Sequence, residues 1–489
     1  MLSDYKTTRS DDGDLTIYDG AIKNSVTRSA TLALDHALDH AKTWLDGLDC
    51  RPVAPKTDLA SLRNRLGGVI PDRGMSPERV IDELVELSEN GHMGSASGRF
   101  FAWVIGGSLT SALAADWLVS TWDQNAAIYA CGPSVSVIEE TAGAWILELL
   151  DLPREASFAF TTGCQFAHVT SLATARHSLL MRQGWNVEEE GLFAAPHLTV
   201  LTTAQHHESI DRAVRFLGVG LKSIKLIPMN ENGQATAAGL STALENTDGP
   251  TIVVLNAADL NIGACDDFSE LIPIAHAADA WVHIDGAFGL FARASRSKRH
   301  LLNGVDLADS WATDAHKWLN VPFDCGIAII RDSAAHRAAM TVSTSYISAY
   351  GDARDQIDWN PEWSRRARGV PVYAALKELG RDGVETLVDR CCAYCDALVY
   401  GIGALQGARV VAAPTLNQGL VRFELTGATK EENDARTAEV IDRINATGEA
   451  FFSGVDWRGK RAMRISVINW RTTLADVERT IAAVSTALA

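Results

Sequence analysis

Two charged side chains follow neighbouring apolar runs in the second half of the chain. Residues 281–284 (WVHI) are followed by Asp285, and His316-Lys317 follows a second short run at residues 310–313. Apolar runs of this length are typical of buried strands. The pattern therefore predicts a carboxylate and an amine at the tips of adjacent strands.

An acid and a lysine in these positions could serve one electrophilic cofactor, pyridoxal phosphate (PLP). The lysine amine forms a Schiff base with the cofactor, and the acid keeps the pyridine nitrogen protonated so that the ring can withdraw electrons. Taken singly, Asp285 would be a strand-end turn residue and Lys317 a surface lysine. Their joint appearance with His316, on a strand–crossover–strand pattern, favours the cofactor.

The segments HIDGAFG and DAHKWLNVPFDCG resemble the cofactor strand and the lysine motif of the group II PLP-dependent amino-acid decarboxylases. That family includes the aromatic amino-acid, histidine and glutamate decarboxylases, and the resemblance extends from about residue 50 to the C-terminus. It implies that Lys317 is the Schiff-base lysine and Asp285 the partner of the pyridine nitrogen. It also implies that Ala287 packs on the ring face and that His316 lies near the phosphate.

The composition is that of a soluble, acidic enzyme. The chain has 489 residues, of which 47% are hydrophobic and 21% charged, enough for one large domain and one or two smaller ones. Its net charge of −17 argues against a nucleic-acid partner, because phosphates call for a basic surface. The polar start, MLSDYKTTRSDDGDL, predicts no secretory signal, and no apolar run approaches a membrane span. We expect a cytoplasmic protein with no membrane partner.

Eight cysteines lack the spacing of a zinc site, apart from the local cluster Cys391-Cys392-x-x-Cys395. That cluster lies in an apolar helical pattern, so we expect it to pack in a helix core and not to bind metal. Disulfides are not expected in the cytoplasm.

Short apolar runs alternate with helical patterns from residue 158 to 332, which predicts a mainly parallel sheet with helices on both faces. This is the α/β class, and the resemblance implies PLP-dependent transferase fold type I. The expected domains are a helical N-terminal segment (1–105), a large PLP-binding α/β domain (106–362) and a small α+β domain (363–489). In the resembling family such an N-terminal segment wraps over the partner subunit, which implies a homodimer with shared active sites.

Gly163, Cys164 and Gln165 lie between a strand and a helical pattern, so their backbone amides could bind the phosphate at a helix N-terminus. The resemblance places the family's phosphate turn here, although the family usually has serine where Gln165 stands. It also matches His207 to the histidine that stacks on the pyridine ring. His206 is the rival for that role.

Three further positions depend on the resemblance. Trp103, in GSASGRFFAW, would contact the substrate or else belong to an aromatic cluster. Asp259 stands where the family often has threonine, and it either reshapes contacts with the ring or sits at a strand end. Tyr346, in a loop that we expect to be mobile, matches the residue that protonates the substrate carbon after carbon dioxide leaves, and Tyr350 is the alternative.

The resemblance implies PLP-dependent decarboxylation of an L-amino acid to its amine and carbon dioxide. A decarboxylase holds the carboxylate perpendicular to the ring, whereas an aminotransferase holds it in the plane, usually with an arginine. Arg464 superficially resembles that arginine, so an aminotransferase stays open, as does an aldehyde synthase on the same scaffold. Retention of Asp285 and Lys317 argues against a non-catalytic binding relative. Trp103 and Phe101 hint at an apolar or aromatic amino acid.

Overall fold

The structure is a computed structural model that describes residues 23–341 and 352–489. The chain divides into two compact units, one ending at Gly94 and the other running from Ser95 to Ala489. Within the described residues, no helix is both long and apolar enough to cross a membrane.

The first unit is helical, as the sequence predicts. Its helices are α1 (Lys23–Gly47), α2 (Leu59–Leu66) and α3 (Pro77–Ser88). Proline is tolerated in the first turn of α3 because the amide it lacks would have no helical partner there. Apolar side chains on these helices remain exposed, including Leu34 at 62% and Leu84 at 56%. Helix α2 was not predicted, because its eight residues are too few to show a clear helical period.

The second unit contains a seven-stranded sheet with the order β1-β7-β6-β5-β4-β2-β3. Its strands are β1 (Ser157–Thr161), β2 (Thr199–Thr202), β3 (Ile224–Leu226), β4 (Thr251–Asn256), β5 (Trp281–Asp285), β6 (Ser310–Asp314) and β7 (Gly326–Ile330). Strands β3, β2, β4, β5 and β6 are parallel, whereas β7 runs antiparallel to both β6 and β1. The predicted mainly parallel sheet is confirmed, and its carboxyl edge carries the last residues of β4, β5 and β6.

Helices connect the strands and cover the sheet. They are α4 (Thr110–Trp122), α5 (Pro133–Leu149), α6 (Cys164–Arg182), α7 (Val187–Glu190), α8 (Glu208–Phe216), α9 (Ala237–Glu245), α10 (Phe268–Ala277) and α11 (Ser333–Met340). Side-chain hydrogen bonds cap the N-termini of several of these helices. Thr236 accepts the amide of Gly239 at α9, and Asp267 accepts the amide of Glu270 at α10. Because both sheet faces are covered, the central strands β4, β5 and β6 are buried along their whole length.

The C-terminal part of this unit has a four-stranded antiparallel sheet of order β10-β11-β9-β8. The strands are β8 (Ala408–Ala412), β9 (Gln418–Phe423), β10 (Ser453–Trp457) and β11 (Lys460–Ser466), with helices α12 (Gly369–Gly403), α13 (Lys430–Thr447) and α14 (Leu474–Leu488). The segments 418–425 (QGLVRFEL) and 462–468 (AMRISVI) predict strands that correspond to β9 and β11, whereas β8 and β10 were not predicted. Cys391, Cys392 and Cys395 are buried within α12 as free thiols, consistent with packing.

Candidate active site

A cavity of about 390 Å³ lies at the carboxyl edge of the large sheet. Asn256, Asp285 and Asp314 end the three adjacent strands β4, β5 and β6, and all three line the cavity. The N-terminal ends of α6 and α8 complete its walls. Among its lining residues are the predicted site residues Gly163, Cys164, Gln165, His207, Asp285, Ala287, His316 and Lys317. Parallel strands and their following helices therefore bring distant segments of the chain to one site.

Lys317 follows β6 by three residues and places its amine 3.2 Å from Oδ2 of Asp314. The amine also lies 6.0 Å from the centre of the Phe288 ring. Burial alone would lower the pKa of Lys317, but the neighbouring carboxylates of Asp314 and Asp285 raise it above its ordinary value. Asp314 was not among the residues predicted from the sequence. Its position at a strand end, three residues before the lysine, was the available indication of a role in the site.

Asp285 ends β5, and its side chain is almost fully buried. Burial would raise the pKa of this carboxyl, but His168, His207 and Lys317 outweigh burial and hold the pKa below its ordinary value. The backbone amide of Ala287 also donates to Oδ1 of Asp285, at 3.2 Å. Asp285 is therefore an anion in the cavity wall, as a partner for a protonated ring nitrogen must be.

The N-terminus of α6 provides the candidate anion site. Gly163 precedes the helix with φ 79° and ψ 170°, a conformation that favours glycine, and this residue has no side chain with which to cap the helix. The amide of Cys164 donates to Oδ1 of Asp314 at 2.6 Å. The side-chain amide of Gln165 instead donates to the backbone carbonyl of Ser209 in α8, at 3.2 Å. Gln165 thus links the N-terminal ends of α6 and α8 by a hydrogen bond.

Two adjacent histidines have different surroundings at the start of α8. His207 lines the cavity and caps the helix, because its Nδ1 accepts the amide of Ser209 at 3.1 Å. His206 does not appear among the described lining residues, and its Nε2 lies 2.7 Å from Asp211. In a continuing strand, adjacent side chains would point to opposite faces, but β2 ends at Thr202, before both histidines. The geometry favours His207 as the residue that faces a bound ring.

Two other predicted positions also line the cavity. His316 is buried, and its Nδ1 accepts the amide of Cys325 at 3.1 Å, which fixes the ring. Asp259 accepts the backbone amides of Asn261 at 2.8 Å and Ala264 at 2.8 Å. Asp259 therefore closes a turn three residues after β4 and also lines the cavity, so its effect on the ring stays a prediction.

For Trp103 and the two loop tyrosines, the described residues do not test the predicted roles. Trp103 is half exposed and packs against Phe100 and Phe451, with ring centres 5.8 and 5.4 Å away. The described residues that line the cavity do not include it. Tyr346 and Tyr350 lie outside the described residues. The roles assigned to these three residues stay predictions.

Arg464 on β11 is buried, and its guanidinium has no hydrogen bond or ion pair within the described residues. Burial lowers the pKa of Arg464, and the charge of Asp259 partly offsets that shift. The described residues that line the cavity include Asp259 but not Arg464.

The cavity fits PLP on its own chemistry. A lysine amine could hold the aldehyde carbon, an ionised carboxylate could pair with the ring nitrogen, and the N-terminus of α6 could receive the phosphate. Ala287 and His207 supply small and flat surfaces for the ring. The fold and the site together define a PLP-dependent enzyme of fold type I.

Comparisons with known proteins agree with this class. Residues 62–426 match the family model described as the pyridoxal-dependent decarboxylase conserved domain. The protein belongs to the pyridoxal-dependent decarboxylase family and is a PLP-dependent carboxy-lyase acting on an amino acid.

The relatives span nearly the whole chain. It is 27% identical to an aromatic-L-amino-acid decarboxylase of Bacillus atrophaeus, over 91% of this chain and 92% of the relative. It is 25% identical to a 4-hydroxyphenylacetaldehyde synthase of Rhodiola rosea, over 86% of each chain. A crystal structure of Oryza sativa TDC with PLP and tryptamine superposes with a TM-score of 0.88 at 21% identity, covering 94% of this chain and 98% of that one. This last likeness shows the shared fold.

Proposed function

We propose that the protein removes the carboxylate of an L-amino acid as carbon dioxide and releases the corresponding amine. The observation that carries this proposal is that Lys317 and the ionised Asp285 line one cavity, next to the N-terminus of α6. When bound there, PLP supplies an electron-withdrawing ring that accepts the electron pair left by the departing carboxylate.

The residues of the chain then have separate tasks. Lys317 would hold the cofactor covalently, and Asp285 would keep a proton at the pyridine nitrogen. The start of α6 at Cys164 and Gln165 would hold the phosphate, and for this the Cys164 amide would have to exchange Asp314 for the phosphate. His207 and Ala287 would contact the ring. His316, fixed by the Cys325 amide, borders the phosphate side. These residues all line the same cavity, which supports a common role in holding the cofactor.

Reprotonation of the substrate carbon is assigned to Tyr346 by resemblance, with Tyr350 as the alternative. A phenol can pass a proton inside a site from which water is excluded. If that proton is not delivered, molecular oxygen can take two electrons and water can supply the carbonyl oxygen, so that the products beside carbon dioxide become an aldehyde, ammonia and hydrogen peroxide. The aldehyde synthase among the relatives makes this the second candidate function.

The substrate side chain is left open. Phe288 supplies the only phenylalanine, tyrosine or tryptophan ring among the described residues that line the cavity, and polar residues such as Gln205, Glu208 and Arg212 lie beside it. The exposed apolar faces of α1 and α3 support a homodimer, in which a partner subunit could add the missing substrate contacts. A cytoplasmic location stays a prediction.

The test is a screen for carbon dioxide release over the common L-amino acids, with ornithine, diaminobutyrate and DOPA included. We expect one substrate class to release carbon dioxide and to yield amine in equal amount, and Lys317→Ala to abolish both. Aldehyde with hydrogen peroxide in place of amine would favour the synthase. Exchange of amino groups with 2-oxo acids, without carbon dioxide, would contradict the proposal.

Tyr346→Phe separates the two candidates further. We expect this variant to bind substrate and lose carbon dioxide, with amine formation reduced by about 10²–10⁴-fold, the usual cost of losing a positioned proton donor. Tyr350→Phe is the matched control and should change amine yield little. Amine yield at the wild-type level in Tyr346→Phe would contradict the assignment of that tyrosine.

A further inference from the structure

A row of buried polar side chains runs from the interior of the sheet to the back of Asp285. It consists of Trp281, Ser310, His283 and His168, each of which is at most 2% exposed. The described residues that line the cavity include none of the four. Burial of polar groups without water is costly unless each is hydrogen-bonded, so their alignment needs an explanation.

The row is continuous. The indole Nε1 of Trp281 lies 2.9 Å from Oγ of Ser310, and the same oxygen lies 2.9 Å from Nδ1 of His283. Nε2 of His283 lies 2.9 Å from Nδ1 of His168. Nε2 of His168 then faces Oδ1 of Asp285 at 3.6 Å, an electrostatic contact slightly longer than a hydrogen bond.

The charge of Asp285 favours one direction of the row. The indole of Trp281 can only donate, so Ser310 accepts there, and its hydroxyl can then either donate to Nδ1 of His283 or accept from it. In the first case His283 carries its proton on Nε2 and donates to Nδ1 of His168. That leaves the proton of His168 on Nε2, where it points at the carboxylate of Asp285.

The opposite direction is disfavoured by charge. It would place the proton of His168 on Nδ1 and turn the lone pair of Nε2 toward the carboxylate of Asp285. The other group near this Nε2 is the thiol of Cys164, at 3.4 Å. Burial raises the pKa of Cys164 well above its ordinary value, so the thiol is neutral and the carboxylate is the stronger acceptor.

Both imidazoles are neutral in this arrangement. Burial lowers the pKa of His168, and it lowers that of His283 to about 3. The row therefore presents the positive end of a fixed dipole to Asp285 instead of a full charge. A full charge would compete with a protonated ring nitrogen for the carboxylate, whereas a dipole stabilises the anion and leaves its other oxygen available.

We propose that His168 and His283 are positioning residues that hold Asp285 as an oriented anion, so that it keeps a proton on the pyridine nitrogen of the cofactor. The proposal rests on the role of Asp285 proposed above. Neither histidine contacts the cofactor in this scheme, and each acts through the next residue in the row.

The first test needs no variant. Nitrogen-15 spectra of the full-length protein labelled at histidine should show His168 and His283 as neutral rings protonated at Nε2. Resonances are assigned by their loss in His168→Gln and His283→Phe. A neutral ring protonated at Nδ1, or a charged ring, at either position would overturn the proposal.

The second test measures the cofactor directly. The dissociation constant for PLP is measured on the apoprotein, and the nitrogen-15 shift of the pyridine nitrogen on protein loaded with labelled PLP. His168→Phe should weaken PLP binding by about 10- to 100-fold, the usual effect of removing a donor from a charged group. It should also move the pyridine shift toward that of an unprotonated ring. His283→Phe should move both quantities in the same direction, by less.

A conservative variant and a control separate positioning from folding. His168→Gln keeps an N–H near the carboxylate and should recover most of the affinity and of the shift. His336→Phe is the control, because His336 is equally buried and hydrogen-bonded to Ser157 but has no link to Asp285. It should leave the pyridine shift unchanged.

The state of the pyridine nitrogen also distinguishes this proposal from the proposed role of Asp285, on which it rests. Asp285→Asn must itself deprotonate the pyridine nitrogen, and a protonated ring in that variant would contradict the role of Asp285. A protonated pyridine ring in His168→Phe and His283→Phe, together with an unprotonated ring in Asp285→Asn, would overturn the positioning role of the two histidines and leave the role of Asp285 intact.

Discussion

The carboxylate of Asp314 lies 3.2 Å from the amine of Lys317, the lysine that we assign to the cofactor. The other carboxylate oxygen accepts the amide of Cys164 at the start of α6, at 2.6 Å. One acid thus touches both the lysine and the candidate phosphate site. It favours the ammonium form of Lys317 and adds a negative charge where a phosphate would bind.

The first prediction concerns pH. Covalent attachment of PLP requires the neutral amine, and the pKa of Lys317 is raised above its ordinary value. Below that pKa the neutral fraction grows about tenfold for each pH unit. The rate of PLP attachment to the apoprotein should therefore rise between about pH 7 and pH 9, as followed by absorbance. A rate that is flat or falls over this range would contradict the ion pair.

The second prediction removes the charge. Asp314→Asn should lower the pKa of Lys317 and relieve repulsion of the phosphate, while its amide oxygen can still accept the Cys164 amide. Attachment near neutral pH should accelerate by about tenfold. Asp324→Asn is the control, because that exposed acid pairs with Arg368 and does not line the cavity. Slower attachment in Asp314→Asn would show that the carboxylate assists binding.

The third prediction tests the support of the phosphate turn by β7. A Cβ on Gly326 would lie 2.2 Å from the backbone carbon of Gly163, so Gly326→Ala must push β7 and the turn apart. Overpacking of this kind costs about 1–3 kcal/mol. We expect a lower melting temperature and weaker PLP binding in a titration. Gly74→Ala, where a Cβ meets open space, is the control, and equal behaviour of the two variants would contradict this account.

The fourth prediction concerns a buried ion pair. Arg365 lies 2.6 Å from Glu139, and both are almost fully buried, while Glu139 also accepts the amide of Gly369. Arg365→Met should cost about 3–5 kcal/mol in the free energy of unfolding, because it leaves a buried charge unpaired. Adding Glu139→Gln to this variant should restore part of the lost free energy of unfolding, since it removes the unpaired charge and the glutamine oxygen can still accept the Gly369 amide.

An exposed pair provides the comparison for this fourth prediction. Arg337 lies 2.7 Å from Asp358, but its side chain is 61% exposed. Arg337→Met should change the free energy of unfolding in denaturant titrations by less than about 1 kcal/mol. Similar losses in Arg337→Met and Arg365→Met would contradict the importance of burial.

The sequence predicted those parts of the fold that local pattern determines. The apolar runs of β5 and β6 revealed Asp285 and Lys317 because strands buried on both faces are rich in apolar residues. The half-exposed strands β8 and β10 gave no such signal. The antiparallel direction of β7 was also missed, since a short apolar run is the same in either direction.

The surroundings of the site were harder to predict because they depend on contacts between distant segments. His168 and His283 are 115 residues apart in the chain and meet only when α6 packs on β5. Asp314 was visible in the lysine motif, yet its contact with Cys164 spans 150 residues. Residue types at a strand end can suggest chemistry, but the pairing partners come from tertiary structure.

The central claim is that Lys317 holds PLP, and chemical labelling tests it most directly. Borohydride reduces the carbon–nitrogen double bond between the cofactor and its lysine, and peptide mapping by mass spectrometry locates the product. We predict a single phosphopyridoxyl group on the peptide that contains Lys317, and none on Lys317→Ala. A label on a different lysine, or an unlabelled wild-type protein after incubation with PLP, would contradict the account.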